Sequence, residues 1–259
     1  MLTTNFVPGA PNWVDLGAPD VAAAADFYGA LFGWEFQSAG PDAGGYGMLT
    51  LNGKVVAAAG PGEEGTEPAW TIYFQVADAD ATAAAVRKAG GSVRSEPMDV
   101  FTAGRMAQFT DPTGAQFAVW QPGDTKGLEA VTEPGTLTWT ELHTVDVTAA
   151  KAFYNAVFGW NTEDMPMGDF TYTVVAPAGG GEKESQGGMM QLTPEMAAGG
   201  MVTRWVPYFE VEDPDGVAAE ATKRGGIVAA GPQDIEGVGR FAVLVDPAGA
   251  PFSIIKSAS

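Results

Sequence analysis

At roughly 100–200 residues per domain, a chain of 259 residues fits one large domain or two ordinary ones. Its 32 Asp and Glu against 13 Lys and Arg give a formal charge of −19, which repels phosphate backbones and anionic lipid and argues against nucleic-acid and membrane-surface roles. With no Cys and a single His, His143, disulfides, zinc ribbons, thiol nucleophiles and every metal site needing two His are excluded.

In chain order, the opening MLTTNFVPGAPNW has neither a basic start nor a long apolar run, so no secretory signal is expected. WVDLGA from Trp13 alternates like a short strand, and Asp20 is placed to cap an Ala-rich helix. Along that helix Ala24, Phe27, Tyr28, Leu31 and Phe32 recur at three- and four-residue steps, a buried stripe that Gly33-Trp34 ends. Strands are expected at 46–51 and 54–59, with Asn52-Gly53 as a hairpin turn between them. A strand at 70–76, a helix at 78–90 and strands near 105–110 and 115–120 follow. The polar, Pro- and Gly-rich stretch 121–135 then reads as a connection.

After it the chain repeats itself. Asp20–Trp34 (DVAAAADFYGALFGW) and Asp146–Trp160 (DVTAAKAFYNAVFGW) are identical at 10 of 15 positions, at an offset of 126. Each half closes on a D-P-x-G phrase, at Asp111 and at Asp246, where the offset has grown to 135. The nine or so extra residues are expected in a surface loop at Gly179–Gly188. The division reads 1–124, a linker 125–135, and 136–259, each half containing two βαβββ modules. The fold class is α+β.

This module order, the D-V-x-x-A-x-x-F-Y-x-x-x-F-G-W helix and the closing D-P-x-G resemble the vicinal oxygen chelate superfamily of glyoxalases, bleomycin-resistance proteins and extradiol dioxygenases. The likeness is greatest to two-domain actinobacterial glyoxalase-like proteins. It implies cupped mixed sheets with helices outside, and it implies metal ligands at four strand positions. The first falls fourteen residues before the Phe of the Phe-Tyr pair, on Trp13 and Trp139. Another opens the second module, on Thr71 and Val206, and the last lies seven residues after the Asp of D-P-x-G, on Ala118 and Ser253. The fourth lies near Ala57 or Met189. Such side chains make poor ligands for a hard or borderline cation, so no metal and no cofactor are expected.

Strand alternation assigns the residues expected to line each cup. In the first half these are Trp13, Asp15 and Gly17, with Thr71, Tyr73 and Gln75, and Gln116 and Trp120. In the second they are Trp139, Glu141 and His143, with Val206, Tyr208 and Glu210, and Pro251 and Ile255. Phe74, Phe117, Phe209 and Phe252 have the other parity and are expected against helices. Trp13, Asp15, Tyr73, Gln75, Trp120, Trp139, Tyr208 and Glu210 are the candidate ligand contacts, aromatic walls with a few polar groups.

Glu141 and His143 are the candidate catalytic pair, two residues apart on one face, where a carboxylate would raise the imidazole's pKa and suit it to proton transfer. Equally, His143 can be a locally bonded strand-end residue and Glu141 an exposed charge. Arg105 and Arg240, placed alike before the final hairpins, either hold loop carboxylates or meet a ligand anion, and the structural role is the one expected.

Three functions remain open: a metal-independent binder of a small aromatic or apolar metabolite, a lyase or isomerase acting on a small carbonyl compound, and an interaction protein with filled cups. Binding is favoured, and enzymatic activity stays open. The partner expected is a small molecule, with no nucleic acid and no membrane, for a cytoplasmic monomer or homodimer.

Overall fold

The computed structural model describes residues 2–63, 65–168 and 170–258. The first half runs β1 (Pro11–Ala18), α1 (Val21–Phe32), β2 (Glu35–Ser38), β3 (Gly47–Leu51), β4 (Lys54–Pro61), β5 (Ala69–Gln75), α2 (Ala79–Lys88), β6 (Ser92–Val100), β7 (Gly104–Thr110) and β8 (Gln116–Pro122). The second runs β9 (Leu137–Thr144), α3 (Val147–Phe158), β10 (Asn161–Met167), β11 (Phe170–Ala176), β12 (Gly187–Gln191), α4 (Pro194–Ala198), β13 (Arg204–Glu210), α5 (Pro214–Lys223), β14 (Ile227–Ile235), β15 (Gly239–Val245) and β16 (Pro251–Ser257). Each half is thus βαβββ twice, with α4 as an addition. The halves form two mixed eight-stranded sheets, ordered β2-β3-β4-β1-β5-β8-β7-β6 and β10-β11-β12-β9-β13-β16-β15-β14. No helix among the described residues is long and apolar enough to cross a membrane.

Local chemistry sets the element ends. Asp20, Asp78, Asp146 and Asp213 each cap a helix by accepting the backbone N–H three residues on, which satisfies donors the first helical turn leaves unpaired. Gly33 and Gly159 end α1 and α3 in the left-handed region, at φ 75° and 70°.

Packing divides the chain differently from the repeat. One compact unit comprises Met1–Trp13, Ile72–Gly127 and Trp139–Val206, the other Val14–Thr71, Leu128–Thr138 and Pro207–Ser259. Each unit therefore takes one module from each half. In the first, Phe153, Tyr154 and Phe158 of α3, with Trp160, pack on Phe74, Phe117 and Trp205. In the second, Phe27, Tyr28 and Phe32 of α1, with Trp34, pack on Trp70, Phe209 and Phe252. Burying a large aromatic contributes roughly 1.5–3 kcal/mol, so these two clusters are the principal cores. The four Phe of opposite strand parity lie in them, against the helix of the other half.

The repeated motifs do polar work in the same cores. Tyr154 donates to Asp111 Oδ2 at 3.0 Å and accepts from the Trp205 indole at 2.8 Å. Asp111 Oδ1 also accepts from the backbone N–H groups of Thr113 and Ala115. Tyr28, Asp246 and Trp70 repeat the arrangement at 3.1 and 3.0 Å. Burial pushes both phenols well above their ordinary pKa, and the neighbouring carboxylate adds to the rise. The Trp of each Gly-Trp pair also bonds outside its own half: Trp160 donates to Gly9 O of the first half at 2.9 Å, and Trp34 to Gly135 O at the end of the linker at 2.7 Å.

The extra residues of the second half are not confined to Gly179–Gly188. Gly187 and Gly188 are buried in β12, because that strand pairs with both β11 and β9. In matched registers Tyr46 to Ala58 spans 12 positions and Tyr172 to Gly188 spans 16. Ala58 to Thr71 spans 13, but Gly188 to Val206 spans 18. The second insertion carries α4, and hydrogen bonds from Leu192 N to Thr144 O and from Val145 N to Thr203 Oγ1 bind it to the end of β9.

Candidate functional site

The end of β9 holds the most specific polar arrangement. Alternation places Glu141 and His143 on one face of the strand, and Glu141 Oε1 lies 2.8 Å from His143 Nε2. Both are buried, at 7% and 6% exposure. β12 runs parallel to β9 with Gly188 beside Glu141 and Met190 beside His143. β11 lies antiparallel beyond it, with Tyr172 opposite Met190. From there Tyr172 reaches across β12, donates to Glu141 Oε2 at 2.7 Å, and accepts from the Trp139 indole at 3.0 Å. Gly188 makes the crossing feasible, since a Cβ there would overlap the Tyr172 hydroxyl.

Donor chemistry fixes the direction of this chain. An indole N–H can only donate, so the Tyr172 oxygen accepts from Trp139 and its one hydrogen goes to Glu141. With Glu141 ionised, its oxygens only accept, and the contact with His143 then places a hydrogen on Nε2. Nδ1 has no hydrogen-bond partner among the described residues. In the neutral imidazole that nitrogen carries a lone pair and can accept a hydrogen bond or a proton.

The first half retains part of the same arrangement. Tyr46, at the offset of Tyr172, donates to Asp15 Oδ2 at 3.0 Å. Asp15 matches Glu141 and Trp13 matches Trp139, but Gly17 stands where the second half has His143. The two tyrosines were missed by reading each strand alone, since they lie two strands away from the carboxylates they bind. Their common offset of 126 within the repeat was the available signal.

The other candidate residues are mostly engaged locally. Gln75 donates to Phe6 O at 2.9 Å and accepts a longer bond, 3.4 Å, from Asn12. The Trp120 indole donates to Thr125 O at 2.9 Å. Both oxygens of Glu210 accept from Ser257, at 2.8 Å from its N–H and 2.6 Å from its hydroxyl, so this carboxylate holds the end of β16. Trp13, Tyr73 and Tyr208 are buried. Arg105 pairs with Asp80 and Asp99, and Arg240 with Asp215 and Asp234. The carboxylates lie not in loops but on α2 and β6 in one half and on α5 and β14 in the other, so each Arg ties a helix to the neighbouring strand at the protein surface.

The side chains at the aligned strand positions do not fit a metal. The strand positions aligned with family ligands carry Trp, Thr and Ala in one half and Trp, Val and Ser in the other. The neighbouring strands offer Val56-Ala57-Ala58 and Gly187-Gly188-Met189. The Ser253 hydroxyl is buried without a hydrogen-bond partner, yet one alcohol is a weak ligand by itself. Among the described residues no three acidic or His side chains come together in a metal-binding arrangement.

Known proteins match the chain along its length. Residues 10–119 match the model of the Glyoxalase/Bleomycin resistance protein/Dioxygenase superfamily, and residues 136–175 match that of the bleomycin resistance protein-like N-terminal region. CFP32 of Mycobacterium tuberculosis, provisionally named a glyoxylase, is 44% identical over 98% of this chain and 97% of its own length. The anthracycline biosynthesis protein DnrV of Streptomyces peucetius is 41% identical over 98% of this chain and 95% of its own. In fold, the chain is similar to the Mn(II)-bound glyoxalase of Novosphingobium aromaticivorans, with a TM-score of 0.64 at 18% identity over 98% of this chain and 85% of that one. The 2,3-dioxygenase LapB of Pseudomonas sp. KL28 gives 0.66 at 13% identity, over 97% and 94%. Sequence, repeat and fold thus agree that the chain belongs to the glyoxalase/bleomycin resistance protein/dioxygenase superfamily.

Proposed function

We propose that this protein binds a small aromatic or apolar molecule in its second half, through side-chain contacts and not through a metal. The observation that carries the reading is the chain Trp139–Tyr172–Glu141–His143, which fixes an imidazole with one uncommitted nitrogen beside an indole and a phenol. A planar ligand gains area and stacking from such aromatics, and a single oriented polar group sets its register. The residue types at the aligned metal positions support binding without coordination. DnrV and DauV, two Streptomyces relatives at 41% and 40% identity, are named for anthracycline biosynthesis, and anthracyclines are planar polycyclic aromatics.

Calorimetric titration with 2-methoxynaphthalene tests this reading. Saturable one-site binding that weakens in Trp139→Ala is expected. No saturable binding of this or a tricyclic aromatic contradicts it.

The Glu141–His143 pair also favours a second reading, a lyase or isomerase acting on a small carbonyl compound. A carboxylate-anchored imidazole with Nδ1 available is suited to moving a proton. In that case His143→Ala abolishes turnover, and unchanged turnover excludes the reading.

A further inference from the structure

We infer that the ligand bound in the second half carries a hydroxyl group that donates to His143 Nδ1, and that Tyr172 is the positioning residue that makes His143 an acceptor. This rests on the proposal that the second half binds a planar molecule. Trp139 spends its only N–H on Tyr172, and Tyr172 spends its only O–H on Glu141. Glu141 accepts that hydrogen bond at Oε2 and keeps Oε1 as the acceptor facing His143 Nε2. Every hydrogen in the chain therefore runs toward the carboxylate, and the acceptor left over is the imidazole's far nitrogen.

A ligand offering only ether or carbonyl oxygens would place a lone pair against that lone pair. A ligand with a phenolic or enolic hydroxyl completes the chain. The preference belongs to the second half, because Gly17 replaces the imidazole in the first.

The test compares 2-naphthol with 2-methoxynaphthalene, which differ in whether the oxygen carries a hydrogen. Calorimetric titration of the intact protein at pH 8 is expected to favour 2-naphthol by about tenfold, the effect of one neutral hydrogen bond. In His143→Phe the two affinities are expected to become equal, whatever change is common to both. Because the chain has one His, long-range 1H–15N spectra of the wild-type protein report Nδ1 without ambiguity. That resonance is expected to move with 2-naphthol and to stay in place with the ether. In Tyr172→Phe the single-tautomer signature is expected to be lost along with the preference.

Equal affinities with an unmoved Nδ1 overturn the inference while leaving the binding proposal standing. Failure of both compounds to bind overturns the two together. A hydrogen resident on Nδ1 in the free protein at pH 8 overturns the inference whatever binds.

Discussion

Glu141 and His143 form a 2.8 Å contact between side chains two residues apart on one strand, both nearly inaccessible to solvent. A pair so close in sequence orients the ring only if the carboxylate is itself held, and Tyr172 holds it from two strands away. The first half keeps the phenol and the carboxylate and lacks the imidazole. The duplication has thus left the same scaffold twice and the complete polar chain once.

Gly188→Ala tests the crossing of Tyr172 over β12. The added methyl would occupy the position of the Tyr172 hydroxyl, so the ring must leave Glu141. Overpacking of this kind costs about 1–3 kcal/mol. Urea denaturation should show that loss, and the 2-naphthol preference should fall with it. An unchanged midpoint and an unchanged preference would show that Tyr172 does not need this space.

The cores built from both halves make a second prediction. Tyr154→Phe leaves Asp111 Oδ2 and the Trp205 indole without the hydroxyl they share. Leaving buried polar groups unsatisfied costs about 1–3 kcal/mol, and Tyr28→Phe should cost a similar amount through Asp246 and Trp70. Chemical denaturation of each variant measures this. A loss near zero in both would show that the Tyr–Asp contacts contribute nothing net.

The same phenols set a pH dependence. Burial raises the pKa of Tyr28 and Tyr154 in the folded protein above the ordinary value of 10.0. The folded state then holds a proton that the unfolded state releases, so this stabilisation is complete below about pH 10 and is lost as pH rises further. Absorbance at 295 nm should show Tyr28 and Tyr154, of the six tyrosines, ionising only as the fold is lost. Their titration near pH 10 with the fold intact would contradict the burial argument.

Much of this architecture was legible in the sequence because it is written twice. The stripe of the first helix, its Asp20 cap and the Asn52-Gly53 turn, with φ of 51° and 76°, follow from local rules that tertiary packing did not override. The partner of each motif was harder to see. Tyr28 and Asp246 are 218 residues apart, and nothing local indicates that the helix of one half packs on the strands of the other. The candidate site divided in the same way. Period-two alternation found Glu141 and His143 on one strand face, whereas Tyr172 depends on the register of three strands and on one missing side chain, at Gly188. Gln75 and Glu210 were assigned by face alone, and alternation does not reveal that Phe6 and Ser257 occupy them.

The tautomer of His143, read from long-range 1H–15N correlations in the free protein at pH 8, reports directly whether the imidazole is fixed as an acceptor. A hydrogen fixed on Nε2, with Nδ1 showing the signature of an unprotonated nitrogen, is the result predicted by the Trp139–Tyr172–Glu141–His143 chain. A hydrogen on Nδ1, or a freely exchanging mixture unaffected by Tyr172→Phe, would contradict it.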